Sequence, residues 1–197
     1  MKTIKTIHFK KAQNFNENKV IFVDLDGTLI DWDGKVADMF HLNLNDKTIR
    51  QKVVKRGDIV KVLGMKEDDF WRIIDKEGPE WWENLELLPW AKDLYNLLKK
   101  KYQSVCFLTS PSNNPSSAYG KIKWIKKHFD TKDFLIGKNK HFCAHKNAYL
   151  IDDSSKKINK FIEHGGHGFL WPHSLLLKDG KKDIKQVFSE LIEYIEK

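Results

Sequence analysis

Two carboxylates spaced two residues apart, Asp24 and Asp26, close an apolar run in the stretch VIFVDLDGTLID, with Gly27 and Thr28 directly behind them. Two other apolar runs end in polar groups. SVCFL reaches Thr109-Ser110-Pro111, and AYLI reaches Asp152-Asp153. In an open parallel sheet, ligands collect beyond the carboxyl ends of the strands. If these three runs are neighbouring strands, Asp24, Asp26, Asp152 and Asp153 meet in one cleft, where they repel one another unless a cation joins them. A hard divalent ion with oxygen ligands is the natural one, and Mg²⁺ takes one or two carboxylates together with waters and substrate phosphate. A carboxylate beside such an ion can attack phosphorus and split hydrolysis into two steps through an aspartyl phosphate. A second carboxyl can protonate the leaving oxygen and then activate water. Gly27 allows a sharp turn whose amides approach an anion. Hydroxyls and a lysine should complete a site that works by positioning and charge neutralisation.

The elements that must position these groups are legible as alternating patterns. Five short apolar runs, at 19–24, 104–109, 133–137, 148–153 and 167–171, read as strands buried on both faces, as in a parallel sheet. Helical periodicity separates or follows them. The segment 89–100 puts Trp90, Leu94, Leu97 and Leu98 on one side. The segment 118–129 precedes the third strand. The segment 154–164 turns Ile158, Phe161 and Ile162 inward, and the last segment runs behind Asp183 as N-cap with Ile184, Val187, Phe188, Leu191, Ile192 and Ile195 at helical spacing. Strand and helix in alternation predict an α/β fold, a doubly wound parallel sheet. Residues 32–88 break the alternation and read as several short helices inserted after the first strand. The predicted organisation is therefore a core of 1–31 and 89–197 with a helical cap of 32–88. Asp153 is expected to cap the helix that follows it, and Asp152 to be a ligand.

DLDGTL, then FLTS, then a lysine ahead of LIDD, resembles the haloacid dehalogenase (HAD) superfamily of phosphohydrolases, over about 20–30 and 89–171. The resemblance implies Asp24 as nucleophile and Asp26 as general acid and base, with the Asp26 carbonyl also touching the metal. It implies that Thr109, with Ser110 beside it, binds the phosphoryl group and that Asp152 ligates Mg²⁺ with Asp153 in support. It also implies a phosphate-neutralising lysine. Lys138, Lys140 and Lys146 are available; Lys140 suits the loop leaving the third strand, with Lys138 its rival and Lys146 turned away. A small helical cap after the first strand, Phe70-Trp71, the exit EWWENLELLPWA and the stretch KIKWIKKHF are similar to the 5'(3')-deoxyribonucleotidase branch. Trp90 stands where that branch commonly has glycine, and SNNPSSAYG departs from it after TSP.

The cap is expected to set substrate choice. Phe40, Phe70, Trp71, Trp81 and Trp82 are candidates for stacking a nucleobase. Two of the five are expected to meet substrate and the rest to pack the cap. The expected partner is a small-molecule nucleotide, a nucleoside monophosphate, ahead of nucleic acid; no membrane is expected, and a homodimer is left open. A phosphatase for nucleic-acid 3' ends or another small phosphomonoester and a silent nucleotide-binding module remain as alternatives. The 35 basic residues against 27 acidic give a net charge of +8, but only three are arginine, whereas base-reading surfaces lean on bidentate arginine. The two cysteines, Cys106 and Cys143, fit no metal spacing, and the His164–His167 stretch reads as a helix stop. The N-terminal stretch lacks the apolar segment of a secretory signal, and the expected setting is reducing and cytoplasmic.

Overall fold

Alternate residues along the strands face opposite sides of one sheet and build the core from both. A computed structural model describes residues 19–197 except Asp58; the N-terminal stretch read as lacking a secretory signal lies outside the described residues. The strands are β1 (Val20–Val23), β2 (Ser104–Thr109), β3 (Phe134–Ile136), β4 (Ala148–Asp152) and β5 (His167–Leu170). They pair in parallel in the order β3-β2-β1-β4-β5. Ile21, Val23, Val105, Phe107, Tyr149 and Ile151 face the larger cluster, and Phe22, Leu108, Ala148 and Leu150 face the smaller one with Ile158 and Phe161. Both faces are covered over the central strands, and the α/β parallel sheet matches the expectation, but the edge strands β3 and β5 are not buried as expected, with Leu135 and Leu170 half exposed. The strand order reverses its direction of growth between β1 and β4, which opens a crevice at their carboxyl ends.

Between β1 and β2 lie only helices: α1 (Trp32–Met39), α2 (Lys47–Arg56), α3 (Val60–Leu63), α4 (Glu67–Lys76), α5 (Gly78–Glu83) and α6 (Ala91–Lys101). Local signals account for several ends. Asp46 accepts from the amides of Thr48 and Ile49 to start α2, and Gly57, at φ 62°, stops it. The one-turn α3 was not foreseen, because four residues carry no periodicity. The chain leaves and re-enters the sheet domain through paired backbone: Asp31 N donates to Glu86 O at 2.9 Å and Leu88 N to Leu29 O at 2.8 Å. Trp90 fills this junction and donates its indole N–H to Thr28 O at 2.9 Å, so the residue that departs from the glycine pattern ties down the turn behind Asp26.

After β2 come α7 (Pro115–Phe129), α8 (Ser155–Glu163) behind β4, α9 (Ser174–Lys178) and α10 (Ile184–Glu196). The Asp183 cap of α10 is present, its carboxylate accepting from Lys185 N at 3.0 Å. Ile162 corrects the expected inward face of α8: it is 47% exposed, because Ile158 and Phe161 already fill the contact with the sheet. No helix follows β3 before β4. The link crosses the sheet with only a 3-10 turn, Lys140–Cys143, and this brings Lys140 beneath the ends of β1 and β4.

Helix α5 packs closely along α7, with the tightest approach at Gly120. A Cβ on Gly120 would collide with the Pro79 carbonyl and Trp82 Cβ. Neither can swing away, so Gly120→Ala should cost about 1–3 kcal/mol despite alanine's better helix propensity. A lowered urea midpoint with unchanged slope checks this.

Candidate active site

The end of β1 turns sharply, with the amides of Thr28, Leu29 and Ile30 all donating to Leu25 O. Gly27 sits in this turn at φ 74°, where any Cβ would strike the Asp153 carboxylate. Asp24 is buried, 1% exposed, and its Oδ1 accepts from Leu25 N at 2.8 Å. Lys140 Nζ lies 2.6 Å from Asp24 Oδ1 and 2.6 Å from Asp152 Oδ2, joining β1 to β4. Asp152 Oδ1 also accepts from Ser154 N at 2.9 Å. The start of α8 is therefore tied by Asp152 and not by Asp153, a correction to the expected division of labour. Asp153 instead joins Asp24 and Asp152 in a trio whose ligand atoms lie within 4.8 Å of one another.

The electrostatics follow from this crowding. Burial raises the Asp24 carboxyl, but the ammonium groups of Lys140 and Lys157 outweigh it and hold the group far below the usual carboxylate range. Asp152 shares the same lysines and goes the other way, pushed up to about 6 by burial and then by the Asp24 charge. The two carboxyls compete for the same cations, so negative charge settles first on Asp24. Asp153 stands at the cleft mouth. Loss of solvent on its protein side, and then the Asp24 and Asp152 charges, raise it well above the usual range. Three crowded carboxylates with oxygen donors only suit a hard divalent cation, which would relieve their repulsion.

Of the three lysines expected from the sequence, Lys140 is the one at the carboxylates. Lys138 bonds Asn113, and Lys146 is exposed in the turn before β4. Thr109 is buried at the end of β2 next to this group, and Ser110 lines the cleft with its Oγ 3.4 Å from Gly137 O. Two further lysines were missed by the sequence reading. Lys121, on α7 and wholly buried, bonds the Asp26 carboxylate and donates to Thr109 Oγ1 and Ser110 O, each at 3.0 Å. It fixes Asp26 through Oδ2, and Asp26 Oδ1 has no protein partner among the described residues. Lys157, in the first turn of α8, lies 3.1 Å from Asp24 Oδ2. Its burial works against its charge, but Asp24, Asp152 and Asp153 raise it above the ordinary lysine range. The one available signal was helical spacing: Lys121 lies on the apolar side of α7 with Trp124 and Ile125, where a lysine needs a buried anion.

A cleft of about 670 Å³ opens from Asp26, Gly27 and Asp153 toward the inserted helices. Its walls include Trp32, Trp71 and Trp82, with Pro111 and Ser112 from the loop after β2 and Lys156 and Lys157 from α8. Trp32 and Trp82 stack at 5.7 Å between centroids. Of the five expected aromatics, Trp71 and Trp82 line the cleft. Phe70 and Trp81 are buried in the aromatic cluster, and Phe40 stacks on Phe70 away from the cleft walls. Trp32 was not foreseen; its place in the first turn of α1 brings it to the junction. His164 ends α8 as expected, whereas His173 caps α9 through Leu175 N at 3.3 Å and also lines the cleft.

Residues 18–177 match the family described as 5' nucleotidase, deoxy (pyrimidine), cytosolic type C protein. The chain belongs to this family. As a member of the 5'-nucleotidase family and of the HAD superfamily, the protein is a phosphomonoester hydrolase. It is similar to the 5'(3')-deoxyribonucleotidases of Bacillus subtilis strain 168 and of Bacillus phage SPbeta, each 26% identical over 73% of this chain and 80% of the relative. Its fold is similar to a haloacid dehalogenase-like hydrolase from Xanthomonas campestris, with TM-score 0.50 and 13% identity over 83% of this chain and 85% of the other. The magnesium-bound HAD-hydrolase YfnB of Bacillus subtilis gives TM-score 0.50 and 16% identity over 77% of this chain and 86% of the other. At these identities the two structures bear on the fold alone, and the 5'-nucleotidase family assignment rests on the sequence match.

Proposed function

We propose that the protein hydrolyses nucleoside monophosphates, deoxyribonucleoside monophosphates first among them, with Mg²⁺ and through an aspartyl phosphate. The observation that carries this is a buried, lysine-held Asp24 whose carboxylate lies within 4.8 Å of that of Asp153, which lines a cleft walled by Trp32, Trp71 and Trp82. The deoxyribonucleotidases it resembles supply the substrate class.

An Asp24 oxygen attacks phosphorus, the phosphorus–oxygen ester bond breaks, and Asp26 gives its proton to the departing nucleoside oxygen. Asp26 then takes a proton from the water that attacks the aspartyl phosphate, and inorganic phosphate leaves with Asp24 restored. Lys121 holds Asp26 by one oxygen and leaves the other free for the proton. Thr109 and Ser110 are placed to bind phosphoryl oxygens, and Lys140 to neutralise them. Asp24, the Asp26 carbonyl and Asp152 would hold Mg²⁺, with Asp153 behind; the ion supplies charge neutralisation at the phosphoryl group. Residues 32–88 act in this reading as a cap domain. The two free thiols, Cys106 and Cys143, agree with a reducing, cytoplasmic setting.

A panel of 5'- and 3'-mononucleotides, ribo and deoxyribo, together with a 3'-phosphorylated oligonucleotide, tests the substrate class in Mg²⁺ buffer. Phosphate release from mononucleotides well above the Asp24→Asn background supports the proposal. Faster release from the oligonucleotide would replace it with action on nucleic-acid ends. Trp71→Ala should raise KM by roughly 5- to 150-fold with a smaller change in kcat, since base stacking is worth about 1–3 kcal/mol.

A further inference from the structure

The Lys157 side chain reaches back from α8 and places Nζ 3.1 Å from Asp24 Oδ2 and 3.8 Å from Asp152 Oδ2. Lys140 is the other ammonium at these carboxylates and also holds Asp152 Oδ2, at 2.6 Å, but it differs from Lys157 in burial and in access to the cleft. Lys140 is 2% exposed, sits on the far oxygen of Asp24, and is enclosed by the 3-10 turn. Lys157 is 34% exposed, lines the open cleft, and holds the remaining Asp24 oxygen. A divalent ion coordinated by Asp24 and Asp152 needs carboxylate oxygens that Lys157 contacts. An ammonium and a hard cation cannot share one oxygen at close range without strong repulsion.

We infer that Lys157 is an internal competitor of the divalent ion: it pairs with Asp24 and Asp152 in the ion-free protein and swings into the cleft when the ion binds. The inference rests on the cation-assisted reading of the site and adds a positioning residue to it. Two consequences follow from the geometry. The ion-free carboxylates are never left with Lys140 as their sole counter-charge, so the site stays folded without metal. The displaced ammonium moves to the side on which the cleft opens, where a substrate phosphate would meet it. Binding the ion and engaging the substrate are thereby coupled through one side chain. The apparent ion affinity is lowered by the fraction of molecules in which Lys157 is paired.

Mn²⁺ serves as the probe, its free concentration followed by electron paramagnetic resonance in the absence of nucleotide. If Lys157 is paired in about nine molecules of ten, Lys157→Gln should bind Mn²⁺ roughly tenfold more tightly than the native chain. The same variant should melt at a lower temperature in chelator, and the gap should close in saturating Mn²⁺. Lys156→Gln removes an equal charge from the neighbouring position on the cleft wall, without a carboxylate contact, and should move the affinity far less. Equal shifts in the two variants would reduce the effect to general electrostatics and overturn the inference. Unchanged or weaker Mn²⁺ binding by Lys157→Gln, or no Mn²⁺ binding by either protein, would overturn it too. None of these readouts needs turnover. Failure of the nucleotide panel with a clear Mn²⁺ shift would therefore count against the substrate reading and leave Lys157 in place.

Discussion

Asp24→Asn leaves a folded protein with no measurable phosphate release, a loss on the order of 10⁴-fold or more, because the amide cannot form the acyl phosphate and no neighbouring group can stand in for it. Asp26 is held to Lys121, and Asp152, at the end of the neighbouring parallel strand β4, is held by Lys140 with Asp153 directly after it. The isosteric change keeps the bond from Leu25 N, since the side-chain carbonyl oxygen still accepts it. It also takes from Lys140 and Lys157 the charge they share; Asp152 remains as a partner for both, so the variant should unfold at lower urea than the native chain yet stay folded in its absence. The measurement is single-turnover phosphate release with the best mononucleotide, beside an unfolding curve. Release within tenfold of the native rate would exclude Asp24 as nucleophile and leave the cleft without a mechanism of this kind.

The strands, their parallel arrangement and the convergence of three strand ends were legible because buried parallel strands write themselves as short apolar runs with polar stops. Asp24, Thr109 and Asp152 stand at such stops, so their positions follow from local pattern alone. Lys140 was harder, because its place depends on a link that crosses the sheet with a single 3-10 turn and no helical periodicity to mark it. Lys157 lay inside a good helical pattern and looked like an ordinary solvated lysine, distinguished only by its tertiary partners; Lys121 was marked only by its place on the apolar side of α7. The aromatic residues show the same limit. Phe70 and Trp71 are adjacent in sequence, yet one seals the cluster and the other faces the cleft, a choice made by the rotation of α4 against Trp32 and Trp82.

The inserted helices do more than cover the site. Trp82 stacks on Trp32, its ring lies 5.2 Å from Lys121 Nζ, and Lys121 in turn holds Asp26. An aromatic wall of the cleft and the proposed general acid are thus joined through two side chains. Ser112 Oγ donates to Asp75 at 2.9 Å, and Lys123 pairs with Glu83, so the loop after β2 and helix α7 both hold the insertion. A ligand that pushes on the tryptophans pushes on the group proposed to deliver a proton.

Lys140→Met should cost both chemistry and stability, and the two losses should respond differently to metal. The side chain is buried between Asp24 and Asp152, and methionine fills its volume without its charge. Removing one partner of a buried ion pair typically costs about 3–5 kcal/mol, since the remaining charge is left without compensation. Lys157 is still 3.1 Å from Asp24 and offsets part of that penalty, which places the expected loss toward the lower end. In chelator the variant should therefore unfold at clearly lower urea than the native chain. Saturating Mg²⁺ should restore most of the difference, because a divalent ion at the carboxylates stabilises the folded state by mass action. Turnover should not recover with it. A phosphoryl group bound beside Asp24 would lack its neutralising ammonium, a loss of roughly 10²- to 10³-fold in kcat by analogy with removal of one preorganised donor. A variant rescued by Mg²⁺ in both stability and rate would assign Lys140 to holding the fold alone, and the phosphate would then have to be neutralised by Lys157.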